Sequence, residues 1–170
     1  MEDNGMTERA PLRIEEATKE DAPTILNFIR ELAQYERAVD RVTATEEILG
    51  ATLFGDRPYA KAIIAYQDDE AVAFAIYFFS YSSFSGEPSL YVEDIFVRPA
   101  ARGLGLGKEI FTFLARRASE HGCGRMEWSV LNWNEAAIAF YRTLGAVPVR
   151  QWTVFHLPQA KLAELAKPAS

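Results

Sequence analysis

At 170 residues the chain has the length of one globular domain, and 49% hydrophobic against 25% charged residues excludes a disordered chain. A net charge of -6 argues against general nucleic-acid binding, and the longest apolar run, Ala71 to Phe79, falls short of the roughly 18 residues a membrane helix needs. Cys123 is the single cysteine and, with His121 and His156, shows no metal-ligand spacing. The expectation is a cytoplasmic, metal-free protein with no membrane or nucleic-acid partner.

Met1 to Ala10 is polar and aperiodic and reads as a leader, with one domain over 11–170. Leu12 to Glu16 alternates as a strand does. Thr18 and Asp21 form a capping-box pattern opening a helix through Tyr35, whose buried stripe is Ile25, Phe28, Ile29 and Leu32. A second such pair, Thr43 and Glu46, precedes a shorter helix with Ile48, Leu49 and Leu53 that ends at Gly55. Tyr59 to Tyr66 and Ala71 to Ser80 are rich in β-branched and aromatic residues and flank the polar turn Gln67 to Glu70, which predicts an antiparallel hairpin. Tyr81 to Pro88 reads as a loop, and Ser89 to Val97 as a strand ended by Arg98-Pro99.

Lys108 to His121 has helical periodicity in Ile110, Phe111, Leu114 and Ala118 and is stopped by Gly122 and Gly124. Arg125 to Val130 reads as a strand; Asn134 as the N-cap of a helix through Leu144, closed by Gly145. Val147 to Arg150 and Trp152 to His156 read as a last pair of strands, and Pro158 to Ala166 as a terminal helix. Three consecutive strands before a β-α-β-like unit predict a mixed α/β domain, its sheet covered by helices on both sides.

Between the strand ending at Val97 and the helix lies Arg102-Gly103-Leu104-Gly105-Leu106-Gly107. A glycine turn entering a helix converges backbone N–H groups on an anion, and the helix N-terminus adds about half a positive charge. Gly107-Lys108 is followed by Glu109 and not by a hydroxyl residue, which argues against an ATP-binding loop. The glycines are spaced G-x-G-x-G and Pro99 separates them from the strand, which argues against a dinucleotide fingerprint. A purely structural turn is the other reading of the glycines. Five basic residues (Arg98, Arg102, Lys108, Arg116, Arg117) against one acid, Glu109, favour an anion.

With these residues the chain resembles the GNAT superfamily of N-acetyltransferases, whose acetyl-CoA loop has the form Arg/Gln-x-x-Gly-x-Gly/Ala. Glu31 to Glu36 (ELAQYE), Tyr91 to Val97 (YVEDIFV), Trp133 to Glu135 (WNE) and Phe140 to Ala146 (FYRTLGA) extend the likeness to the diamine (spermidine/spermine) and thialysine branch. The resemblance implies a mostly antiparallel mixed sheet of about six to seven strands, acetyl-CoA as cosubstrate and a homodimer. It places the cofactor on the backbone of Ile95, Phe96 and Val97, on Arg102, Gly103, Leu104, Gly105, Leu106, Gly107 and Lys108, and on Asn134 and Tyr141.

A lysine-like amine is only about one part in a thousand neutral at pH 7, so attack on a thioester carries a deprotonation cost of roughly 4–5 kcal/mol. The resemblance names Glu93 as the base, acting through water because an ordinary carboxylate is too weak for direct proton removal, and Tyr141 as the acid that meets the leaving thiolate. Strand alternation sends Glu93 and its neighbour Asp94 to opposite faces, leaving Asp94 a structural role.

For the acceptor the resemblance points to Tyr35, Glu36, Ser82, Ser83, Glu93 and Trp152. The loop Tyr81-Ser82-Ser83-Phe84 lacks the acid that polyamine enzymes carry after the tyrosine and looks more like the thialysine branch. The expected acceptor is a small primary amine, either a thialysine- or lysine-like amino acid or a diamine or polyamine. Two other readings of the loop stay open at this stage: a non-catalytic acyl-CoA-binding regulator and a module for another phosphate ligand.

Overall fold

A computed structural model describes residues 12–168, which divide into two compact units meeting in sequence between Ser129 and Val130. The expected leader lies outside the described residues. The first unit runs β1 (Arg13–Glu16), α1 (Ala22–Tyr35), α2 (Glu46–Phe54), β2 (Lys61–Gln67), β3 (Glu70–Ser82), β4 (Glu87–Val97), α3 (Leu106–Glu120) and β5 (Arg125–Trp128). Its sheet has the order β1-β2-β3-β4-β5, antiparallel throughout except for the last pair. That pair is parallel because α3 crosses over between β4 and β5 and returns the chain in the same direction.

The sheet separates two apolar layers. Ile25, Leu26 and Phe28 of α1 and Leu49 of α2 pack on Ala62, Ile64, Phe74, Ile76 and Phe96, with Phe28 stacked on Phe74 at 5.1 Å. On the opposite face Ile110, Leu114 and Ala118 of α3 cover Ile63, Ala75, Tyr77, Leu90 and Val92. Burial on both faces is why β2 and β3 read as nearly continuous apolar runs.

The Thr18–Asp21 pair forms: the Asp21 carboxylate accepts from the Thr18 N–H at 2.8 Å and from its hydroxyl at 3.0 Å, on a short 3-10 turn leading into α1. The cap of α2 is Thr45 and not the expected Thr43. Thr45 immediately precedes the helix in an extended conformation, so its hydroxyl reaches the Ile48 N–H at 3.3 Å. The expected Tyr81–Pro88 loop is shorter, because β3 and β4 stay paired to Ser82↔Glu87 and the turn is Ser83–Gly86. Gly86, at φ +71°, accepts the left-handed geometry that this tight turn requires.

The second unit contains α4 (Glu135–Thr143) and α5 (Gln159–Leu165). Asn134 caps α4 as expected, its Oδ1 accepting from the Ala137 N–H at 3.2 Å. The two strands expected over Val147–Arg150 and Trp152–His156 do not form among the described residues, so the sheet has five strands and not six or seven. Their alternating pattern is real, but a strand exists only where a ladder partner takes up its backbone groups. Here Val147, Val154 and Phe155 are exposed. Among the described residues no helix is long and apolar enough to cross a membrane.

Candidate active site

Strand β4 is irregular at one residue. Its register with β3 runs Ile76↔Asp94 and then Tyr77↔Val92, so Glu93 has no partner residue and forms a bulge. Val92 and Ile95 both pack on the α3 side, whereas Phe96 packs under α1. Asp94, opposite Ile76 of the α1-side layer, leaves toward α1, and Glu93 is the extra, exposed residue at which the alternation slips. The expectation that Glu93 and Asp94 point apart rested on regular alternation, and the bulge interrupts that alternation at this pair.

Asp94 is drawn into an acidic neighbourhood. Burial, then the charges of Glu93 and Glu36, raise its carboxyl to about 6. Burial also raises Glu36, which follows directly on α1. Three carboxyl groups thus meet where β4 passes the C-terminal end of α1. A cation placed there relieves both the desolvation and the mutual repulsion.

Beyond Asp94 the strand becomes an edge. The parallel ladder stops at Val92↔Trp128, while β4 continues through Val97, so Ile95, Phe96 and Val97 have β3 on one side and no strand of the described residues on the other. The chain then turns through Pro99–Ala101 into the glycine loop. Gly103 at φ +74° and Gly105 at φ +84° hold backbone angles that side chains disfavour, although each has open space for a Cβ, so the requirement is conformational. Gly105 is the N-cap of α3, and the first helical bond is Glu109 N–H to its carbonyl at 3.2 Å. The N–H groups of Leu106, Gly107 and Lys108 accordingly have no acceptor within the helix, and the helix dipole makes this end attractive to an anion. Leu106 itself is buried, and Gly107 and Lys108 belong to the first helical turn instead of the loop.

The basic residues around the loop have distinct employments. Arg98 is committed to α1: Nε and Nη2 donate to the Glu31 carboxylate at 2.8–3.2 Å, Nη1 donates to the Ala71 carbonyl at 2.7 Å, and the guanidinium lies 4.7 Å from the Phe28 ring centre. Arg117 pairs with Glu16 and Glu120. Arg102 donates from Nε to the Val97 carbonyl at 2.9 Å and lies over the rings of Tyr35 and Phe96. Lys108 and Arg116 are exposed. Neither the Arg98–Glu31 clamp nor the Arg102 stack has a local signal in the sequence, because their partners are 67 residues apart.

Of the residues expected at the site, the structure gathers Tyr35, Glu36, Glu93, Phe96 and Arg102 around the end of α1 and the second half of β4. Ser82 and Ser83 are elsewhere. They sit at the β3–β4 turn, six residues along β4 from Glu93 and so about 20 Å away, where the Ser82 hydroxyl accepts from the Ser85 N–H. Asn134, Tyr141 and Trp152 belong to the second unit. Within it Tyr141 lies on α4 with its ring 5.6 Å from Phe140, and its carbonyl accepts from Ala146. Trp152 is exposed and outside any strand.

The sequence pattern of the Acetyltransferase (GNAT) family matches residues 23–146. The chain belongs to this family. It is 36% identical over 168 residues to a thialysine N-epsilon-acetyltransferase of Sus scrofa, covering 92% of this chain and 98% of that one. It is 30% identical over 200 residues to an L-ornithine N5-acetyltransferase of Arabidopsis thaliana, covering 91% and 88%. Among solved structures it is similar to an integron cassette protein from the mobile metagenome of V. cholerae, with a TM-score of 0.77, 27% identity and coverage of 92% and 98%. The GNAT chain is thus an N-acetyltransferase of mixed α/β fold, and enzymes of this family use acetyl-CoA as cosubstrate.

Proposed function

We propose that this enzyme transfers the acetyl group of acetyl-CoA to a primary amine on a small cationic acceptor, a thialysine-, lysine- or ornithine-like amino acid before a diamine or polyamine. The observation that carries the reading is the bulge at Glu93. It lies beside Asp94, the carboxyl on which the charges of both Glu93 and Glu36 bear, at the point where the β4 edge opens and the chain leads on to a glycine-capped helix. A cationic acceptor and an anionic donor suit the two ends of this segment. The family match spans both compact units, which supports treating them as one acetyltransferase domain.

The β4 edge at Ile95, Phe96 and Val97 offers backbone partners for the amide-bearing arm of CoA. Gly103, Leu104, Gly105, Leu106, Gly107 and Lys108 offer N–H groups and charge for its pyrophosphate, joined by Arg102. The ammonium of the acceptor docks against Glu36 and Asp94 and passes a proton, through water, to Glu93. The freed amine attacks the thioester carbonyl, the C–N bond forms, the nitrogen sheds its second proton to water, and the C–S bond breaks with its electron pair going to sulfur. On the family resemblance Tyr141 supplies the proton to that thiolate, and Asn134 and Trp152 contribute to the cofactor and acceptor sites. Cytoplasmic location and a homodimer belong to the same reading; light scattering coupled to size exclusion tests the dimer.

Among the relatives, an amino-acid acceptor is named for the thialysine and ornithine enzymes. The deciding experiment is thiol release from acetyl-CoA with thialysine, lysine, ornithine, putrescine, spermidine, an aminoglycoside and a peptide amine. Fastest release is expected with the first three. If no amine exceeds the rate without amine, the reading fails.

A further inference from the structure

The first residue of the glycine loop and the last residue of α1 are in contact. The Arg102 guanidinium is 4.8 Å from the Tyr35 ring centre and 5.5 Å from that of Phe96, and the two rings lie 6.4 Å apart at a tilt of 56°. Nε donates to the Val97 carbonyl at 2.9 Å, which uses one of the five donors of the fork and fixes its plane against the strand end. The side chain is otherwise long, exposed and rich in rotamers. Without the rings, the Val97 bond alone leaves the outer half of the guanidinium to swing.

We infer that Tyr35 is a positioning residue for the CoA loop, holding Arg102 so that its Nη groups are pre-set for a phosphate oxyanion. This rests on the proposed use of acetyl-CoA and adds a role for Tyr35 besides acceptor contact. Phe96 completes the cradle from the sheet, where its place in the α1-side core holds it fast. Tyr35 comes from the helix that also leads to Glu36, so the donor loop is steadied from the acceptor side of the sheet.

The prediction separates a π face from a hydroxyl. Calorimetric titration with CoA measures affinity without turnover. Tyr35→Phe keeps the ring and should bind within about 1.5-fold of the parent, while Tyr35→Leu should weaken binding about two- to five-fold, the range for an exposed cation–π contact. In an Arg102→Ala background the further substitution Tyr35→Leu should change nothing, since the group it positions is gone. Additive losses in the double variant, equal losses for Phe and Leu, or no loss for Leu each overturn the inference while leaving CoA binding intact. Failure of the unaltered enzyme to bind CoA overturns the acetyl-CoA reading and this inference with it.

Discussion

Glu93 and Asp94 are neighbours on a strand, yet only Asp94 has a partner across the ladder, because the β3–β4 register skips Glu93 between Ile76↔Asp94 and Tyr77↔Val92. The charges of Glu93 and Glu36 both bear on the buried Asp94 carboxyl, a repulsion that a cationic acceptor would relieve.

The pair makes stability depend on pH. Asp94 rises from the usual 3.8 to about 6, so between those values the folded protein holds a proton that the unfolded chain has lost. The contribution to stability is fully present below 3.8 and is lost as pH rises through 6. Asp94→Asn should therefore be more stable than the parent at pH 7.5, by no more than about 3 kcal/mol, with the advantage vanishing near pH 3.5. Urea unfolding at the two pH values checks this; an equal difference at both removes Asp94 as the titrating group.

The same ionisation should appear in substrate binding. As pH rises through about 6, KM for the amine should fall while the dissociation constant for CoA stays level, because only the acceptor gains from a charged Asp94. In Asp94→Asn that limb of the KM profile should be absent.

Glu93→Gln keeps the size of the side chain and removes its capacity to accept a proton. kcat/KM should drop about 10²- to 10⁴-fold with CoA affinity unchanged. An activity loss below tenfold would assign the proton to another group.

Tyr141→Phe should retain CoA affinity and slow acetyl transfer by about tenfold or more, a smaller effect than that of Glu93 because a thiolate, with a thiol-like pKa near 8.5, leaves readily unaided. Single-turnover measurement of thiol release is the check, and unchanged turnover takes Tyr141 out of the mechanism.

Glu31→Gln breaks the clamp that joins α1 to the end of β4 and leaves the Arg98 charge half-buried. A loss of about 1–3 kcal/mol in unfolding free energy is expected. A change within about 0.5 kcal/mol, the noise of such measurements, would show that solvent replaces the carboxylate.

Elements governed by neighbours in sequence were legible in the chain itself. The Thr18–Asp21 pair, the Asn134 cap, the apolar stripes of α1 and α3 and the glycine loop all arise from contacts a few residues apart or from backbone preferences of single residues. The family motif belongs with them, since its spacing is linear. What tertiary structure alone decided has partners far along the chain: the bulge at Glu93, set by pairing with β3; the commitment of Arg98 to Glu31 and of Arg102 to Tyr35; and the lack of strand structure over residues 147–156. Periodicity states which side chains a strand would bury, but only the fold supplies the ladder that makes it a strand or the skipped partner that breaks the alternation at Glu93.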